Sequence, residues 1–526
     1  MARFSVDHLT TANPNAMPQE LDDNTDCTEV PETPKPSSGG FLRRLLGLLQ
    51  DAAVYGMGGV LGQLANFLLL PLYLQFLTKA DYGVLGMLAV VNVVFQPLAQ
   101  VGMRAATFRF FSLANTPDER REVLTTGALS IFLTTTTLLV LGLLGTRYIA
   151  LAIGNVAPVD LIRLTLLASA CSALAEAPYA VLRAARRVKM AASFNLFSLL
   201  LSICASILFV VVLQWGVKGA VLGTLVGESV TAVALYIATR TSFGANLNFS
   251  RWRNMLLWGA PFVPHHLQAA GIEQLGIYLT GTMLGAGETG AYNIALKLSV
   301  PLSFTVNTIQ KGWVAYKYHI YSAEPEPKQV FRSIVTYYFA GICYLWVGIA
   351  LWGPELLRVM TPIEFHEAGP LIAAVAAVNL GRGMYFMLGT GLEFSENTRY
   401  APLISLVGLI TTAVAAFTLT HYYGAMGAAV GTSIGWAAMT AMHYYVSWRL
   451  FPIRYDWGAL LMLGCAAGAF VAAGYFMQAL LPIPRIAADV ILSLAFPAVA
   501  LAILARSESE RQRILYLVQQ ARQAIG

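Results

Sequence analysis

The chain has 526 residues, of which 57% are hydrophobic and only 12% are charged, and its formal net charge is +6. Soluble domains carry about 25% charged residues, so this composition excludes an ordinary soluble enzyme and indicates a multi-span membrane protein. Nucleic-acid binding is not expected, because no basic and aromatic recognition module accompanies the positive charge. The five cysteines show neither CxxC nor metal-ligand spacing, so no metal site and no disulfide framework are predicted.

The first 50 residues are not predicted to cross the membrane. Residues 1–40 are polar and rich in Pro, Asp and Thr, and they contain no apolar core of a signal peptide. This composition predicts a disordered cytoplasmic tail. Residues 41–50 are amphipathic, with Arg43 and Arg44 beside leucines, and they suit a lead-in helix at the membrane interface.

Fourteen apolar runs follow that approach the length of about 20 residues needed to cross a bilayer. They are 52–77, 83–103, 123–145, 161–182, 191–214, 220–239, 255–284, 291–316, 333–352, 371–391, 402–420, 425–447, 458–481 and 486–505. The loops on one side hold 23 Lys and Arg residues, and those on the other side hold five. The asymmetry predicts an all-α polytopic membrane protein with both termini in the cytoplasm.

An internal repeat divides the chain into two halves. Residues 216–228 (GVKGAVLGTLVGE) and 424–436 (GAMGAAVGTSIGW) share six residues in register, four of them glycines. A second pair of similar segments, 77–83 and 284–290, has nearly the same offset. Six spans separate the copies, so both halves are expected to enter the membrane with the same orientation, as in many transporters. The predicted units are 41–240, 241–450, two extra helices in 451–505, and a cytoplasmic amphipathic tail over 506–526.

Ionisable residues within spans cost about 2.5–3.5 kcal/mol at mid-helix on insertion scales, so each indicates a function or a partner. The clear cases are two cations and three carboxylates: Lys297, Arg382, Glu176, Glu228 and Glu273. On the span 291–316, a polar stripe within an arc of about 80° contains Asn293, Lys297, Asn307 and Lys311. Such a stripe is expected to face water or a cavity. The alternative is that Lys297 simply pairs with Glu273 on the preceding span.

Histidine and amide side chains supply further candidates. His266 and Glu273 are seven residues apart and share a helix face, beside prolines that loosen the inner end of their span. His266 is a candidate for proton coupling, with interfacial packing as the alternative. Asn66, Asn92 and Gln96 suit a passage for sugars, and they equally suit hydrogen bonding between helices.

Motifs for enzymatic chemistry and for cofactors are lacking in the sequence. Residues 285–290 match GxGxxG, but they lie in a turn between two spans and not after a strand, so a dinucleotide site is not expected. No GxxxxGK[ST] motif occurs, so the chain is not expected to hydrolyse ATP. We therefore expect no cofactor.

Several segments are typical of one transporter family. They are the run from Phe67 and Pro71 to Gly83, the segment 259–262 (GAPF), the two glycine-rich copies, and the outer segment 362–370 (PIEFHEAGP). Over roughly residues 45–450 the chain resembles the Wzx-like polysaccharide flippases of the multidrug/oligosaccharidyl-lipid/polysaccharide exporter superfamily. The resemblance implies two six-helix lobes around a central cavity with alternating access. It also implies movement of an undecaprenyl-pyrophosphate-linked oligosaccharide from the inner to the outer leaflet of the bacterial inner membrane, for surface polysaccharide biosynthesis.

The resemblance implies a cationic cavity that suits a diphosphate. The substrate-binding candidates are then Lys297, Arg382, Lys311, Asn293, Asn307, Asn66, Asn92 and Gln96. The candidates for coupling to an H⁺ or Na⁺ gradient, or for gating, are Glu273, Glu228, Glu176 and His266. The three carboxylates depart from a purely cationic lining.

Two other functions compete with this interpretation. A multidrug or organic-cation exporter of the same superfamily would need carboxylates in its cavity, and Glu228 and Glu273 keep this alternative open. A membrane-embedded oligosaccharide polymerase or ligase would need a large outer loop with basic residues. The longest outer loop here, 353–370, contains one basic residue, Arg358, which disfavours that alternative.

Overall fold

A computed structural model describes residues 70–185, 187–244, 248–394, 400–480 and 485–506, and every regular element in these ranges is helical. All of these residues belong to one compact unit, Leu48–Gly526. Ten described helices are long and apolar enough to cross a membrane. The prediction of an all-α polytopic membrane protein is confirmed. The tail 1–40, the lead-in 41–50, most of the span 52–77 with Asn66, and the tail from residue 507 lie outside the described residues.

The described helices of the first half are α1 to α8. Their bounds are Leu70–Leu74 (α1), Lys79–Gln100 (α2), Met103–Leu113 (α3), Pro117–Leu144 (α4), Thr146–Ala152 (α5), Val159–Ala184 (α6), Val188–Ile207 (α7) and Gly216–Thr239 (α8). A π-helical turn, Leu208–Val212, extends α7, and a 3-10 turn, Arg240–Ser242, follows α8.

The second half and the C-terminal pair contain α9 to α18. Their bounds are Phe249–Gly259 (α9), Phe262–Leu284 (α10), Ala286–Leu298 (α11), Val300–Ala323 (α12), Pro327–Met360 (α13), Gly369–Leu388 (α14), Thr390–Phe394 (α15), Ala401–Leu450 (α16), Trp457–Leu480 (α17) and Arg485–Leu504 (α18). A 3-10 segment, Ile363–Ala368, lies between α13 and α14.

Two predicted spans are broken. The span 255–284 is divided between α9 and α10, and the span 291–316 between α11 and α12. None of the four helices α9 to α12 is among the ten helices that are long and apolar enough to cross a membrane. The breaks occur beside Pro261 and Pro301, because proline lacks the amide hydrogen that would continue the helical ladder. Conversely, the 50 residues of α16 contain the predicted spans 402–420 and 425–447 as two arms that meet at a non-helical Gly424.

The repeated glycines form a tightly packed seam in a helical hairpin, once in each half. Gly216 and Gly424 open the two copies with positive φ angles of 56° and 60°. Farther along, a Cβ added to Gly227 would lie 1.8 Å from Ser202 Oγ, and one added to Gly435 would lie 1.8 Å from Thr412 Oγ1. Only glycine allows the paired helices to approach so closely. The sequence repeat is therefore also a repeat of structure.

The second pair of similar segments forms a reciprocal contact between the halves. A Cβ at Gly83 would lie 1.9 Å from the carbonyl oxygen of Ala286, and one at Gly290 would lie 1.8 Å from that of Lys79. These residues correspond in the repeat, so the contact is self-complementary, as at an interface with twofold symmetry. The contact brings together the starts of α2 and α11, at the end of the bundle that the basic-residue count predicts to be outside. We call it the outer contact.

Two further interactions reinforce the outer contact. Lys79 Nζ lies 2.9 Å from Glu367 Oε2, which is 288 residues away in the second half. The ring of Tyr82 packs edge-on against Phe365, with centroids 6.3 Å apart. Tyr82 and Phe365 also belong to a large buried apolar cluster, so the outer contact is held by packing as well as by the ion pair.

The halves also meet at the opposite end, which carries the basic loops. Gly102 has a φ of 69°, and a Cβ at this position would lie 2.0 Å from the carbonyl oxygen of Gly259. Both the positive φ and the close backbone approach require glycine here. The guanidinium of Arg109 lies 4.8 Å from the ring of Trp258 and supports the same contact. We call this the inner contact.

Asp456 caps α17 and should make its stability depend on pH. Its Oδ1 accepts a hydrogen bond from the Ala459 amide at 3.0 Å, and its Oδ2 accepts one from Arg332 Nη2 at 2.9 Å. These bonds, chiefly the one from Ala459, lower the pKa of Asp456. A lowered pKa in the folded state means that the stabilisation exists above the ordinary pKa and disappears as the pH falls through the lowered value.

We therefore expect Asp456→Ala to reduce the free energy of unfolding at pH 7 by about 1 kcal/mol, the usual value of a helix cap. The difference from wild type should begin to shrink below about pH 4, where the carboxylate of the unfolded chain takes up a proton, and should disappear only below the lowered pKa of the folded state. Thermal unfolding in detergent at several pH values measures it. Asp118→Ala is the comparison: it removes an exposed carboxylate from the first turn of α4 that makes no hydrogen bond with the described residues, and it should lower the melting temperature less. A constant difference down to pH 3 would contradict the assignment.

Candidate functional site

A cavity of about 970 Å³ lies inside the first half, between α2, α6, α7 and α8. Its lining is rich in hydroxyl groups and includes six serines, together with Asn92, Asn195, Tyr73 and Tyr179. Two carboxylates, Glu176 and Glu228, also line it, and no lysine or arginine is found among the described residues of the lining. The cavity is therefore acidic and well supplied with hydrogen-bonding groups.

The polar lining follows from helical spacing. On α6 the cavity-lining residues recur at intervals of three or four and so share one face: Thr165, Ser169, Ser172, Glu176 and Tyr179. On α7 every fourth residue contributes a hydroxyl: Ser198, Ser202 and Ser206. The seam glycines Gly223 and Gly227 of α8 lie directly against Ser206 and Ser202, so the repeat also sets the width of this wall.

The two cavity carboxylates have different surroundings. Glu176 accepts a hydrogen bond from Arg183 Nη2 at 2.8 Å and lies 3.9 Å from Arg104 Nη1, at the end of the cavity near the basic loops. Glu228 lies deeper, and its partner there is the hydroxyl of Ser172. No cation among the described residues forms an ion pair with Glu228. Glu228 is therefore the cavity carboxylate that can exchange a cation without first breaking an ion pair.

The predicted amides of α2 form a hydrogen-bonded row. Asn92 lines the cavity and accepts a hydrogen bond from Ser169 Oγ at 2.8 Å. Gln96 donates to the Ser169 carbonyl at 3.1 Å and accepts from Gln100 Nε2 at 3.1 Å. Asn92 is thus exposed to the cavity, whereas Gln96 bridges α2 and α6. The position of Asn92 is compatible with a passage for sugars, and that role stays a prediction.

A cluster of polar side chains around Arg382 occupies the second half, away from this cavity. Arg382 on α14 donates a hydrogen bond to Asn307 Oδ1 on α12, and its Nε lies 3.6 Å from Glu273 Oε1 on α10. The Nε–H is buried and makes no hydrogen bond with the described residues. Buried N–H groups are nearly always hydrogen-bonded. The free Nε–H of Arg382 therefore marks a place where an oxygen acceptor of a ligand would bind. The hydroxyl of Tyr338 lies against Gly383, the next residue.

Lys297 is half-buried on α11, which packs against α14, the helix of Arg382. Within the described residues its ammonium forms no ion pair or hydrogen bond. The predicted alternative, a Lys297–Glu273 pair, is therefore wrong: Glu273 faces Arg382 instead. Lys297 remains available to an anion.

The predicted polar stripe is not one continuous surface. Asn293 is buried and donates to the Tyr82 carbonyl at 2.9 Å, so its amide reinforces the outer contact. Asn307 joins the Arg382 cluster, and Lys311 is exposed. The break between α11 and α12 separates the two ends of the stripe. His266 is exposed on α10 and does not line the described cavity.

One ion pair with a buried lysine was not predicted from the sequence. Lys317, fully buried on α12, bonds to Glu393 of α15, although it lies just beyond the predicted span 291–316. The aromatic rings of Tyr318, Tyr321 and Phe451 surround Phe394, the neighbour of Glu393. In the structure α12 continues beyond the predicted apolar span as far as Ala323, and it therefore includes Lys317.

Comparisons with known proteins relate the chain to proteins of polysaccharide and glycan biosynthesis. A sequence profile described as "Polysaccharide biosynthesis protein" matches residues 75–360. The chain is similar to the probable low-salt glycan biosynthesis flippase Agl15 of Haloferax volcanii, with 19% identity over 202 residues. That match covers 38% of this chain and 41% of that protein, which is less than half of the relative's length.

Two solved structures share the fold. The lipid II flippase MurJ in an inward closed conformation has a TM-score of 0.65 and 12% identity, over 86% of this chain and 98% of that one. An inward-facing multidrug resistance transporter of the MATE family, in the MOP superfamily, has a TM-score of 0.63 and 13% identity, over 74% of this chain and 93% of that one. At such low identity these likenesses establish the fold and leave the ligand open.

Proposed function

Because the chain belongs to the polysaccharide biosynthesis protein family, we propose that it is a flippase for a lipid-linked oligosaccharide. Its substrate is an undecaprenyl-pyrophosphate-linked glycan, which it moves from the cytoplasmic to the outer leaflet of the bacterial inner membrane by alternating access. Both termini face the cytoplasm, on the side of the basic loops. The glycan serves surface polysaccharide biosynthesis.

The observation that carries this proposal is the division of polar groups between the halves. The first half holds a hydroxyl-rich acidic cavity, and the second half holds Arg382 and Lys297 with unused donors. A substrate with a neutral glycan and an anionic diphosphate presents the complementary groups. Hydroxyls, amides and tyrosines bind sugars, and a guanidinium binds phosphate oxygens in pairs of charge-assisted hydrogen bonds.

The physical task explains why both sets of groups are needed. A diphosphate cannot enter hydrocarbon alone, since an isolated charge there loses tens of kcal/mol of hydration energy. Fixed cations and hydrogen-bond donors must replace that hydration while the prenyl chain stays in the lipid. The outer and inner contacts must then open in turn, so that the headgroup meets one side of the membrane at a time.

Glu228 is the proposed coupling residue, with a proton as the first candidate ion. Glu228→Gln removes its titratable charge but keeps its shape, so transport in vesicles should no longer respond to an imposed pH gradient. Glu176→Gln is the matched control: it removes a carboxylate from the same cavity, but one already paired with Arg183, and the pH response should persist. Initial transport rates with and without the gradient measure this. An unchanged response in Glu228→Gln would reject the assignment, and an Na⁺-dependent rate would change the ion.

A bleaching assay tests the proposed function. Full-length protein is reconstituted into liposomes that contain an NBD-labelled undecaprenyl-pyrophosphate oligosaccharide in both leaflets, and dithionite is added outside. In protein-free liposomes only the outer leaflet is bleached, because the charged headgroup does not cross the bilayer, and about half of the fluorescence remains. Active flipping should take bleaching well past that level. A plateau identical to that of protein-free liposomes would overturn the proposal.

The second candidate function is export of organic cations. The pair of carboxylates in the cavity, Glu176 and Glu228, with no basic residue among the part of the lining that the structure describes, is the observation that favours it. The same liposomes, loaded with a cationic dye such as ethidium, separate the two functions. Dye release without glycan flipping would establish the exporter in place of the flippase.

A further inference from the structure

An apolar groove of about 450 Å³ lies on the outer surface of the first half. Leu129 and Phe132 of α4, Leu174 of α6, and Tyr236 with the nearby Phe243 form its walls. Leu129 and Phe132 are 37% and 49% exposed, so the groove opens to the surroundings of the bundle. In a membrane protein those surroundings are lipid, and the volume falls within the range of about 300–1,000 Å³ typical of ligand pockets.

The groove and the acidic cavity lie on opposite faces of α6. On this helix Leu174 points about 160° away from Ser172, which lines the cavity, since each residue turns the helix by about 100°. Tyr236 donates a hydrogen bond to the Leu174 carbonyl at 3.2 Å and helps to close the wall between them. A ligand in the groove is therefore separated from the cavity, so it is not the transported substrate on its path.

Two arginines stand at the basic end of the groove. Arg121 lies one helical turn before the lining residue Thr125 on α4, and Arg240 lies one turn after the lining residue Tyr236 at the end of α8. Because α4 begins and α8 ends at the basic side of the bundle, both side chains lie beyond the same mouth of the groove. Gly244 connects the two elements: its amide donates to Thr125 Oγ1 at 2.7 Å.

These two arginines are exposed, and no described residue forms an ion pair with either of them. Their neighbour Arg251 is different, because it lies 3.7 Å from Glu119 and 3.4 Å from Glu122. Glu119 and Glu122 are thus directed to Arg251, and neither forms an ion pair with the two arginines at the groove mouth. Basic pockets between membrane helices on the cytoplasmic side are typical binding sites for anionic lipid headgroups.

We propose that this groove binds an anionic phospholipid of the cytoplasmic leaflet. An acyl chain lies along Leu129, Phe132 and Leu174, and the phosphate lies between Arg121 and Arg240. The lipid is a resident partner of the first half and not cargo. It connects α4 to α8, two helices of the same cavity-bearing half, and so supports the wall that Tyr236 and Leu174 form.

Native mass spectrometry of the full-length protein in detergent, titrated with phosphatidylglycerol or phosphatidylcholine, tests this site. Replacing both arginines (Arg121→Gln with Arg240→Gln) should weaken phosphatidylglycerol binding by about 30-fold, the factor that corresponds to two contacts of about 1 kcal/mol each. Phosphatidylcholine binding should change little. Arg253→Gln, an exposed arginine of α9 at the same end, is the charge-matched control and should retain wild-type affinity.

A second variant tests the groove itself. Ala128→Phe fills it without changing charge, and it should weaken the binding of both lipids. Circular dichroism and size-exclusion chromatography establish that each variant is folded. An affinity of the double arginine variant within twofold of wild type would overturn the proposal, as would an equal loss in Arg253→Gln. Displacement of phosphatidylglycerol by stoichiometric undecaprenyl phosphate would overturn it as well, because the groove would then belong to the carrier lipid.

Discussion

Replacing Arg382 with glutamine should reduce the rate of glycan flipping by about 100-fold, which corresponds to about 2.7 kcal/mol. Hydrogen bonds to charged groups contribute about 1.5–3 kcal/mol each, and Arg382 has a buried Nε–H that no described residue uses. The substitution removes the charge that would stabilise the diphosphate. It also leaves Glu273 without its cationic partner, which would repel the substrate.

Two variants show whether charge or geometry is responsible. Arg382→Lys keeps the charge but loses the planar fork that reaches both Asn307 and Glu273, so we expect partial activity. Lys311→Gln removes an exposed charge from the same helix as Asn307 and should cause a small loss. The bleaching assay in liposomes measures all three. Flipping by Arg382→Gln at more than half of the wild-type rate would exclude Arg382 from substrate binding.

Replacing Gly290 with leucine should hold the outer ends of the halves apart and stop transport. A Cβ at this position would lie 1.8 Å from the Lys79 carbonyl oxygen, and a backbone atom cannot rotate out of the way as a side chain can. Leucine favours the helix more than glycine does, by about 1 kcal/mol, so weaker helix formation cannot explain a loss of activity. The expected state is one in which the outer contact is never made.

Gly287→Leu is the matched control, since nothing lies within 4 Å of a Cβ at that position on the same helical turn. Arg147 and Ile363 are both exposed, so each can be replaced with a spin-labelled cysteine in a variant that lacks the native cysteines. Pulsed electron paramagnetic resonance then measures the distance between the outer ends of the two halves. Gly290→Leu should lengthen this distance, and Gly287→Leu should match wild type. A Gly290→Leu distance distribution identical to that of wild type would show that the outer contact is not a gate.

The features that could be predicted from the sequence are those that depend on composition and periodicity. The all-helical membrane fold, the transporter class and the resemblance to polysaccharide flippases are confirmed. The glycine repeat is a true structural repeat, because close helix packing demands the same small residues in both copies. The domain boundaries, the orientation and the roles of the individual site residues stay predictions.

The pairing of side chains across helices could not be predicted. Periodicity places Asn293 and Asn307 on one face of one predicted helix. In the structure the helix breaks near Ser299, so that Asn293 bonds to Tyr82 and Asn307 bonds to Arg382. The Lys297–Glu273 pair was wrong for the same reason, since a helical pattern does not reveal which neighbour it faces. The regular spacing of the serines on α6 and α7 is visible in the sequence. It did not predict a cavity, because single hydroxyl groups in apolar helices usually bond to the backbone of their own helix.

The central claim is that cations of the second half hold the diphosphate of the substrate. Binding of undecaprenyl pyrophosphate and of the uncharged alcohol undecaprenol, measured on the wild-type protein and on the Lys297→Gln and Arg382→Gln double variant, tests it directly. The wild type should prefer the diphosphate by about 100-fold, as two charge-assisted contacts would give, and the double variant should bind the two lipids alike. An equal preference for the diphosphate in both proteins would contradict the account.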